Sequence, residues 1–272
     1  IDLKKYGVTE EDVKYGELSP YSDAGMNSLF QDGERLTLAR YPNDGLIRIA
    51  NAVVRENGDY TLTVVKKDYE ATKTWHDKEN VYVDGYFAYY WSHDISKVLS
   101  FGQNRATIIV KNNDQYEPKE GMAFFFCNIA EELDVPGEYF IDKDAMLYYY
   151  PKDGFESATI KYPLSKDFLL RVTGNYVTIE NLTFENTLSS AIDMRGDNNV
   201  ILGCLIENTG SHAVIMNGSN NRLDSCMIRS VASHAVSIHG GDRDTLTKAN
   251  TIAVNNVICN FAEDRTTYEG AF

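Results

Sequence analysis

Two carboxylates are the first candidates for chemistry in this chain, Asp193 and Asp242. Asp242 lies with His239 and Arg243 in a stretch where one unit of a repeated pattern is eight residues longer than the others. An insertion into one repeat is a usual way for a repetitive fold to build a site. A pair of carboxyl groups can act as proton donor and as base or nucleophile. We therefore predict that Asp193 and Asp242 are catalytic and that His239 and Arg243 bind substrate.

Each of these residues also has a structural interpretation. Asp242 and Arg243 can form a surface ion pair that caps the loop. Asp193 aligns with Ile215 and Ser237 of the following repeats, and Asp is common at corners because it tolerates unusual φ angles. These alternatives stay open at the level of the sequence.

The elements that position these residues are four similar segments, at 176–187, 199–210, 221–230 and 251–261. Aligning their apolar positions brings Phe184, Ile206, Ile228 and Ile258 into one column, at steps of 22, 22 and 30 residues. A fixed period in the twenties is typical of a solenoid, in which each repeat buries its apolar face by stacking on its neighbours. Apolar and polar residues alternate within each repeat, as they do in strands. The sequence predicts a right-handed parallel β-helix over 163–272.

Other columns of the repeat are predicted to be structural. They are the thiols of Cys204 and Cys226, an amide ladder of Asn186, Asn208 and Asn260 that Ser230 interrupts, and a polar stack of Ser190, His212 and His234. Strands one coil apart are spaced by about 4.8 Å, which is wider than disulfide geometry prefers. We therefore predict stacked thiols in place of a disulfide.

Before the coils, 28–162 is predicted to be a β-sandwich-like module, with a small barrel as the alternative, and 1–27 an N-terminal segment. The predicted strands are a hairpin at 28–38 and single strands at 60–65, 81–83, 106–110, 123–127, 139–141 and 146–150. Six or more short strands at this spacing are typical of sandwiches and barrels. The stretch 129–133 is the only credible helical turn. The whole chain is therefore predicted to be all-β.

Composition excludes some partners and supports a folded core. The net charge of −14 argues against nucleic acid, whose phosphates require a basic surface. The hydrophobic content of 43% supports a packed core, and no apolar run approaches the roughly 18–20 residues of a membrane span. The chain opens at Ile1 without Met, which indicates a processed chain or an excised piece. Because 264–272 carries no evident cap, we expect further coils in the natural protein.

Three stretches carry a resemblance to a known family. They are LTLARYPNDG at 36–45; 128–151, with EELDVPGEYF at 131–140 and MLYYYP at 146–151; and GGDRDTL at 240–246. Together they resemble the β-helical glycoside hydrolases grouped with family 141, whose known activities are on fucosyl and xylosyl linkages of plant polysaccharides. In that family a β-sandwich-like module precedes the main run of coils, which is the order predicted here.

The resemblance implies a hydrolase that acts on a plant-type polysaccharide with two carboxyl groups flanking the scissile bond. It implies a secreted or periplasmic bacterial protein. No cofactor is predicted, and calcium is the alternative that a lyase would use. Aromatic faces stack on sugar rings, so Tyr90 and Trp91 are candidate substrate-binding residues; the alternative is that their run, 86–91, is core and interface.

Two other functions remain open. A polysaccharide lyase uses Ca²⁺ and a basic residue, and its calcium site would gather several acids on neighbouring coils. The coils here hold few acids in any one column. A non-catalytic adhesin would use the coils as a rigid rod for glycan binding.

Overall fold

A computed structural model describes residues 1–13, 28–76, 78, 80–103, 106–112 and 116–272. Strands dominate this part of the chain, so the predicted all-β class is confirmed. Of the predicted N-terminal segment, 14–27 lie outside the described residues. The strands are β1 (Phe30–Gln31), β2 (Glu34–Arg35), β3 (Thr37–Leu38), β4 (Arg40–Tyr41), β5 (Ile47–Val54), β6 (Tyr60–Val64), β7 (Tyr82–Tyr86), β8 (Asp94–Phe101), β9 (Thr107–Val110), β10 (Ala123–Cys127), β11 (Glu138–Ile141), β12 (Leu147–Tyr149), β13 (Ile160–Lys161), β14 (Leu170–Val172), β15 (Thr178–Glu180), β16 (Thr183–Thr187), β17 (Ile192–Arg195), β18 (Val200–Leu202), β19 (Leu205–Thr209), β20 (Val214–Asn217), β21 (Arg222–Asp224), β22 (Met227–Val231), β23 (Val236–His239), β24 (Ile252–Val254) and β25 (Val257–Cys259).

Helical structure is short wherever the chain is described. It consists of α1 (Glu10–Val13), α2 (Lys66–Ala71) and 3-10 turns at Leu3–Tyr6, Ala130–Glu132 and Phe155–Ser157. The predicted turn at 129–133 is thus present, but the expectation that it is the only helical turn is wrong. The helix α2 has no side-chain cap at its start; it buries Tyr69 in the core, so tertiary packing specifies it more than a capping signal does. None of the helices in the described ranges is long and apolar enough to cross a membrane.

The chain divides into two compact units. The first comprises Ile1–Ser22 and Leu36–Ala158, and the second comprises Asp23–Arg35 and Thr159–Phe272. This division differs from the predicted module boundary at 28. The hairpin of β1 and β2 is present, with Phe30 opposite Arg35, but β1 also pairs with β13, where Phe30 lies opposite Lys161. That long-range pairing places the hairpin in the second unit.

The first unit is built on a circuit of antiparallel strands. The strands β10, β5, β6, β9, β8 and β7 pair in that order, and β7 pairs with β10 again. This closure matches the small barrel, one of the two predicted architectures. Trp75 lies in its core, with edge contacts to Phe126 at 5.1 Å and to Phe101 at 6.0 Å between ring centroids. The indole N–H of Trp75 donates to Glu132, so the polar atom of this buried ring is satisfied.

The second unit contains three parallel sheets of four strands each. Sheet A is formed by β14, β17, β20 and β23; sheet B by β15, β18, β21 and β24; and sheet C by β16, β19, β22 and β25. Each sheet takes one strand from each successive coil, so the predicted parallel β-helix is confirmed. The predicted column is also confirmed, because Phe184, Ile206, Ile228 and Ile258 pair in register along sheet C.

Side chains inside the coils form one apolar stack. Ile201, Ile206 and Ile228 are fully buried, and the same cluster includes Cys204 and Cys226. Both cysteines are free thiols, as predicted. Because each Å² of buried apolar surface contributes about 25 cal/mol to stability, this stack is the main source of stability of the unit.

Amide side chains hold the corners between strands. Asn208 donates from Nδ2 to Oδ1 of Asn186 at 3.1 Å, which is a rung of the predicted ladder. Asn186 and Asn208 have φ angles of 63° and 57°, a region that Asn tolerates better than most residues. A second ladder was not predicted: Asn221 accepts from the backbone N–H of Asn199 at 2.9 Å and donates to the carbonyl of Gly196 at 2.9 Å. The corners are thus hydrogen-bonded from coil to coil.

The end of the chain continues the pattern of sheet A. The backbone N–H groups of Ala235 and Val236 donate to the carbonyls of Gly270 and Ala271, both at 3.1 Å. The same hydrogen bond joins the two coils before it, where the backbone N–H of Ala213 donates to the carbonyl of His234 in the next coil. Residues 270 and 271 therefore occupy the position that the next strand of sheet A would take.

Arg35 anchors the hairpin to the coils of the second unit. Its Nε lies 3.0 Å from Glu263, its Nη1 lies 3.0 Å from Asp264, and its Nη2 donates to the carbonyl of Thr209 at 2.9 Å. The side chain of Arg35 is 9% exposed. Burial raises the pKa of Glu263, and the Arg35 guanidinium opposes that rise.

The apolar stack can be tested with Ile206→Ala. Because Ile206 is fully buried, we expect the free energy of unfolding to fall by about 2–5 kcal/mol, measured by chemical denaturation. Leu182→Ala is the matched control, since Leu182 is 51% exposed; we expect it to cost about 0.5 kcal/mol or less. Equal losses for the two variants would contradict the stacked core.

The Arg35 contacts can be tested with Arg35→Met. Without the guanidinium, Glu263 and Asp264 remain beside each other and partly buried, and we expect a loss of roughly 3 kcal/mol near pH 7. Removing Arg35 raises the pKa of Glu263 further. A carboxyl whose folded pKa exceeds its unfolded value destabilises the fold above that value, and protonation relieves the cost.

The loss caused by Arg35→Met should therefore shrink when the pH is lowered to about 4. Denaturation curves at both pH values measure it, with Arg243→Met as a control at an exposed arginine of the same unit. A loss that does not depend on pH would show that packing, and not charge, explains the effect.

Candidate functional site

The outer surface of sheet A carries a row of polar and charged side chains. Ile192 and Met194 are fully buried inside the coils, so the alternation of a strand turns Asp193 and Arg195 outward. In register, the outward positions are Arg171, Asp193, Ile215 and Ser237 in one line and Arg195, Asn217 and His239 in the next. We call these seven residues the outer row.

Asp193 is the central carboxylate of the outer row. Its Oδ2 lies 3.0 Å from Nε of Arg171 and 2.9 Å from Nη2 of Arg195, and its Oδ1 accepts from Nε of Arg195 at 3.1 Å. The side chain of Asp193 is 1% exposed, whereas those of Arg171 and Arg195 are 46% and 59% exposed. Asp193 therefore sits beneath two arginines, and both of its oxygens are engaged. Its corner interpretation is not supported, because it lies within β17.

The far end of the outer row leads into the inserted loop. Nε2 of the exposed His239 lies 2.9 Å from the Ser237 hydroxyl. Oδ1 of Asp242 accepts from the backbone N–H groups of Asp244 at 2.8 Å and Thr245 at 3.2 Å. These hydrogen bonds lower the pKa of Asp242, which is fully exposed.

Asp242 thus caps its own loop, but not through the ion pair considered above. No ion pair joins Asp242 to Arg243 among the described residues, and Arg243 is exposed. The loop is closed instead by an antiparallel bridge between Asp242 and Thr247.

The fold brings some of the predicted site residues onto one surface. Asp193 and His239 both lie on the outer row, on strands two coils apart, which is about 10 Å of sheet. Asp242 and Arg243 follow the end of β23 after two glycines. Tyr90 and Trp91 belong to the other unit. The catalytic and substrate-binding roles of all six residues remain predictions.

The aromatic run of the first unit is partly core and partly surface. Phe87 is buried, while Tyr90 is 60% and Trp91 is 43% exposed. Trp91 stacks on Tyr89, with ring centroids 4.8 Å apart and planes tilted by 14°. The Lys119 ammonium lies 3.4 Å from the centre of the Tyr89 ring. The exposed indole of Trp91 is thus held in place by its neighbours.

A second pair of carboxylates was missed in the sequence. Glu185 and Glu207 lie opposite each other in register on the outer surface of sheet C. Each has a cation beside it: Lys161 Nζ lies 2.6 Å from Glu185, and Arg229 Nε lies 2.7 Å from Glu207. The signal was available, because the 22-residue step that aligns Phe184 with Ile206 also aligns these two acids.

The two histidines of the predicted polar stack are stacked as expected. The rings of His212 and His234 lie 5.4 Å apart. Nδ1 of His234 accepts from the backbone N–H of Gly270 at 2.8 Å, and its Nε2 lies 3.3 Å from Glu269. Because Nδ1 is an acceptor, the proton of neutral His234 lies on Nε2 and points at the carboxylate. No group of three or more potential metal ligands occurs in the described ranges.

Comparisons with known proteins agree with this architecture. Residues 152–268 match a family model described as "Right handed beta helix region". A solved structure named "Glycoside hydrolase" is similar to the chain with a TM-score of 0.68 at 13% sequence identity. The similarity covers 89% of this chain and 55% of that protein, so the chain spans about half of that protein's length. A search of curated proteins finds no match. The comparisons thus show that the coils form a right-handed parallel β-helix.

Proposed function

We propose that this chain is part of a carbohydrate-active hydrolase that binds a polysaccharide along the outer row of sheet A. The observation that carries the proposal is the row itself. Six of the seven outward positions, on four neighbouring strands of sheet A, hold hydrogen-bonding or charged side chains in register, and the row ends at an inserted loop with a carboxylate. The spacing of successive strands, about 4.8 Å, is close to the length of one sugar residue, so an extended glycan can meet one strand per residue.

The contacts of the two predicted catalytic carboxylates suggest different roles. Asp242 has a lowered pKa because backbone N–H groups stabilise its charged form, which suits a base or nucleophile and not a proton donor. Both oxygens of Asp193 are engaged by arginines, so its contacts favour holding those arginines over transferring a proton.

The finer assignment of the substrate rests on resemblance. The motifs at 36–45, 128–151 and 240–246 favour fucosyl or xylosyl linkages of a plant-type polysaccharide. The name of the structurally similar protein, "Glycoside hydrolase", supports the broader class. On the same resemblance we propose a secreted or periplasmic location.

A role for Asp242 in turnover can be tested with Asp242→Asn. Asparagine keeps an oxygen that can accept from the N–H groups of Asp244 and Thr245, so the loop should keep its shape while the negative charge is lost. We expect turnover to fall by roughly 100-fold or more, as for loss of a general base or nucleophile.

Asp224→Asn is the matched control for that experiment. Asp224 is also a carboxylate of the coils with a lowered pKa, but its partners are Arg222, Ser225 and Asn255 on sheet B. We expect little change in turnover. Equal turnover for Asp242→Asn and Asp224→Asn would remove the inserted loop from the site.

The class of function can be tested by incubating the chain with a panel of plant glycans. The proposal predicts new reducing ends without the ultraviolet absorbance of an unsaturated elimination product. Unsaturated products would instead identify a lyase, and binding without turnover would identify a non-catalytic module; either result would overturn the hydrolase assignment.

A further inference from the structure

The arginine pair on the outer row has more positive charge than its partners neutralise. Arg171 and Arg195 share one buried carboxylate, Asp193. Arg171 also has Asp167 nearby, but at 3.9 Å and with the Asp167 side chain 82% exposed. Such an exposed and distant pair contributes little. The three close residues together carry a net charge of +1 in a chain whose net charge is −14.

Outward arginines on the other sheets are matched one to one. Arg222 pairs with Asp224 at 2.6 Å on sheet B, and Arg229 pairs with Glu207 at 2.7 Å on sheet C. Only on sheet A, among these three ion-pair clusters, do two guanidinium groups converge on one carboxylate. The excess charge is therefore local to the outer row.

The geometry leaves part of each guanidinium directed away from Asp193. The contacts to Asp193 use Nε of Arg171 and both Nε and Nη2 of Arg195. Within the described residues, Nη1 of either arginine makes no hydrogen bond. The centre of the Phe168 ring lies 4.5 Å from the guanidinium carbon of Arg171, and this contact restricts the movement of the arginine. Each guanidinium is thus held by Asp193 on one side, and its N–H groups on the other side are available to a ligand.

We propose that Arg171 and Arg195 form a subsite for an anionic sugar residue, so that the polysaccharide bound by the outer row is acidic. The proposal rests on the proposed function, since it assumes that this surface binds glycan. A planar guanidinium offers paired N–H donors that match a carboxylate or sulfate group. A neutral sugar has no charge to balance the excess cation, whereas a uronate or a sulfated sugar neutralises it.

The buried Asp193 has a definite part in this subsite. It holds both guanidinium groups side by side before the ligand arrives, which reduces the ordering cost of binding. It also cancels one of the two charges, so the remaining charge of the subsite matches one anionic group. Asp193 is therefore a positioning residue in this proposal.

The experiment measures binding of the 272-residue chain to polygalacturonate, to the same polymer after methyl esterification, and to a sulfated galactan. The variants are Arg171→Gln and Arg195→Gln, with Arg222→Gln as the matched control on sheet B. We expect affinity for an acidic polymer to fall roughly tenfold in each of the first two variants and to be unchanged in the control. Binding should also weaken as salt is added.

The polymers distinguish the two anions, and thermal unfolding of each variant shows that it is folded. Loss of binding on esterification assigns a carboxylate, whereas preference for the galactan assigns a sulfate. Binding to acidic polymers that neither arginine variant weakens would overturn the subsite. Turnover of a neutral glycan by the unmodified chain, without binding to any acidic polymer, would overturn the subsite and leave the proposed function standing. Absence of binding to every glycan would overturn both.

Discussion

The stacking of one coil on the next, backbone against backbone, is the constraint on which the second unit depends. The backbones of successive coils approach most closely at positions such as Gly218. Gly218 has a φ of 126°, and a Cβ at that position would lie 2.2 Å from the carbonyl oxygen of Gly196 in the preceding coil. No side chain fits there, so the corner fixes the register independently of the apolar interior. Inside the coils, Ile206 on Ile228 fixes the same register. Two separate features therefore require the same 22-residue step.

The same register determines which charged residues pair on the outer surfaces of the coils. A residue one coil away lies within about 5 Å, so outward ion pairs form between residues 22 apart, as Glu207 and Arg229 do, or two apart on one strand, as Arg195 and Asp193 do. Asp193 combines both spacings. A carboxylate in that position is reached from two directions and becomes buried although its strand turns it outward. The repeat thus creates an electrostatic arrangement that a single strand cannot make.

Regular features of this fold could be predicted from the sequence, and non-periodic ones could not. The column from Phe184 to Ile258 was predictable because its residues are apolar and evenly spaced. Glu185 and Glu207 share the same spacing, but an alignment of apolar positions does not include them. The place of the hairpin was not predictable, because the contact of Phe30 with Lys161 joins residues far apart in the chain and leaves no local pattern. The arginines over Asp193 have no common signature in the sequence, because Arg171 lies one coil before Asp193 and Arg195 lies two residues after it on the same strand.

The inserted loop shows why function is the part of a solenoid that its period cannot predict. The step from β21 to β24 is eight residues longer than the others, yet Arg222 still lies opposite Ile252 and Asp224 opposite Val254. The extra residues leave the stack after β23 and return before β24 without shifting any paired strand. Their hydrogen bonds, such as those accepted by Asp242, are satisfied within the loop. Because the register does not depend on them, these residues are free to vary, and a site can be placed there with little effect on the stability of the coils.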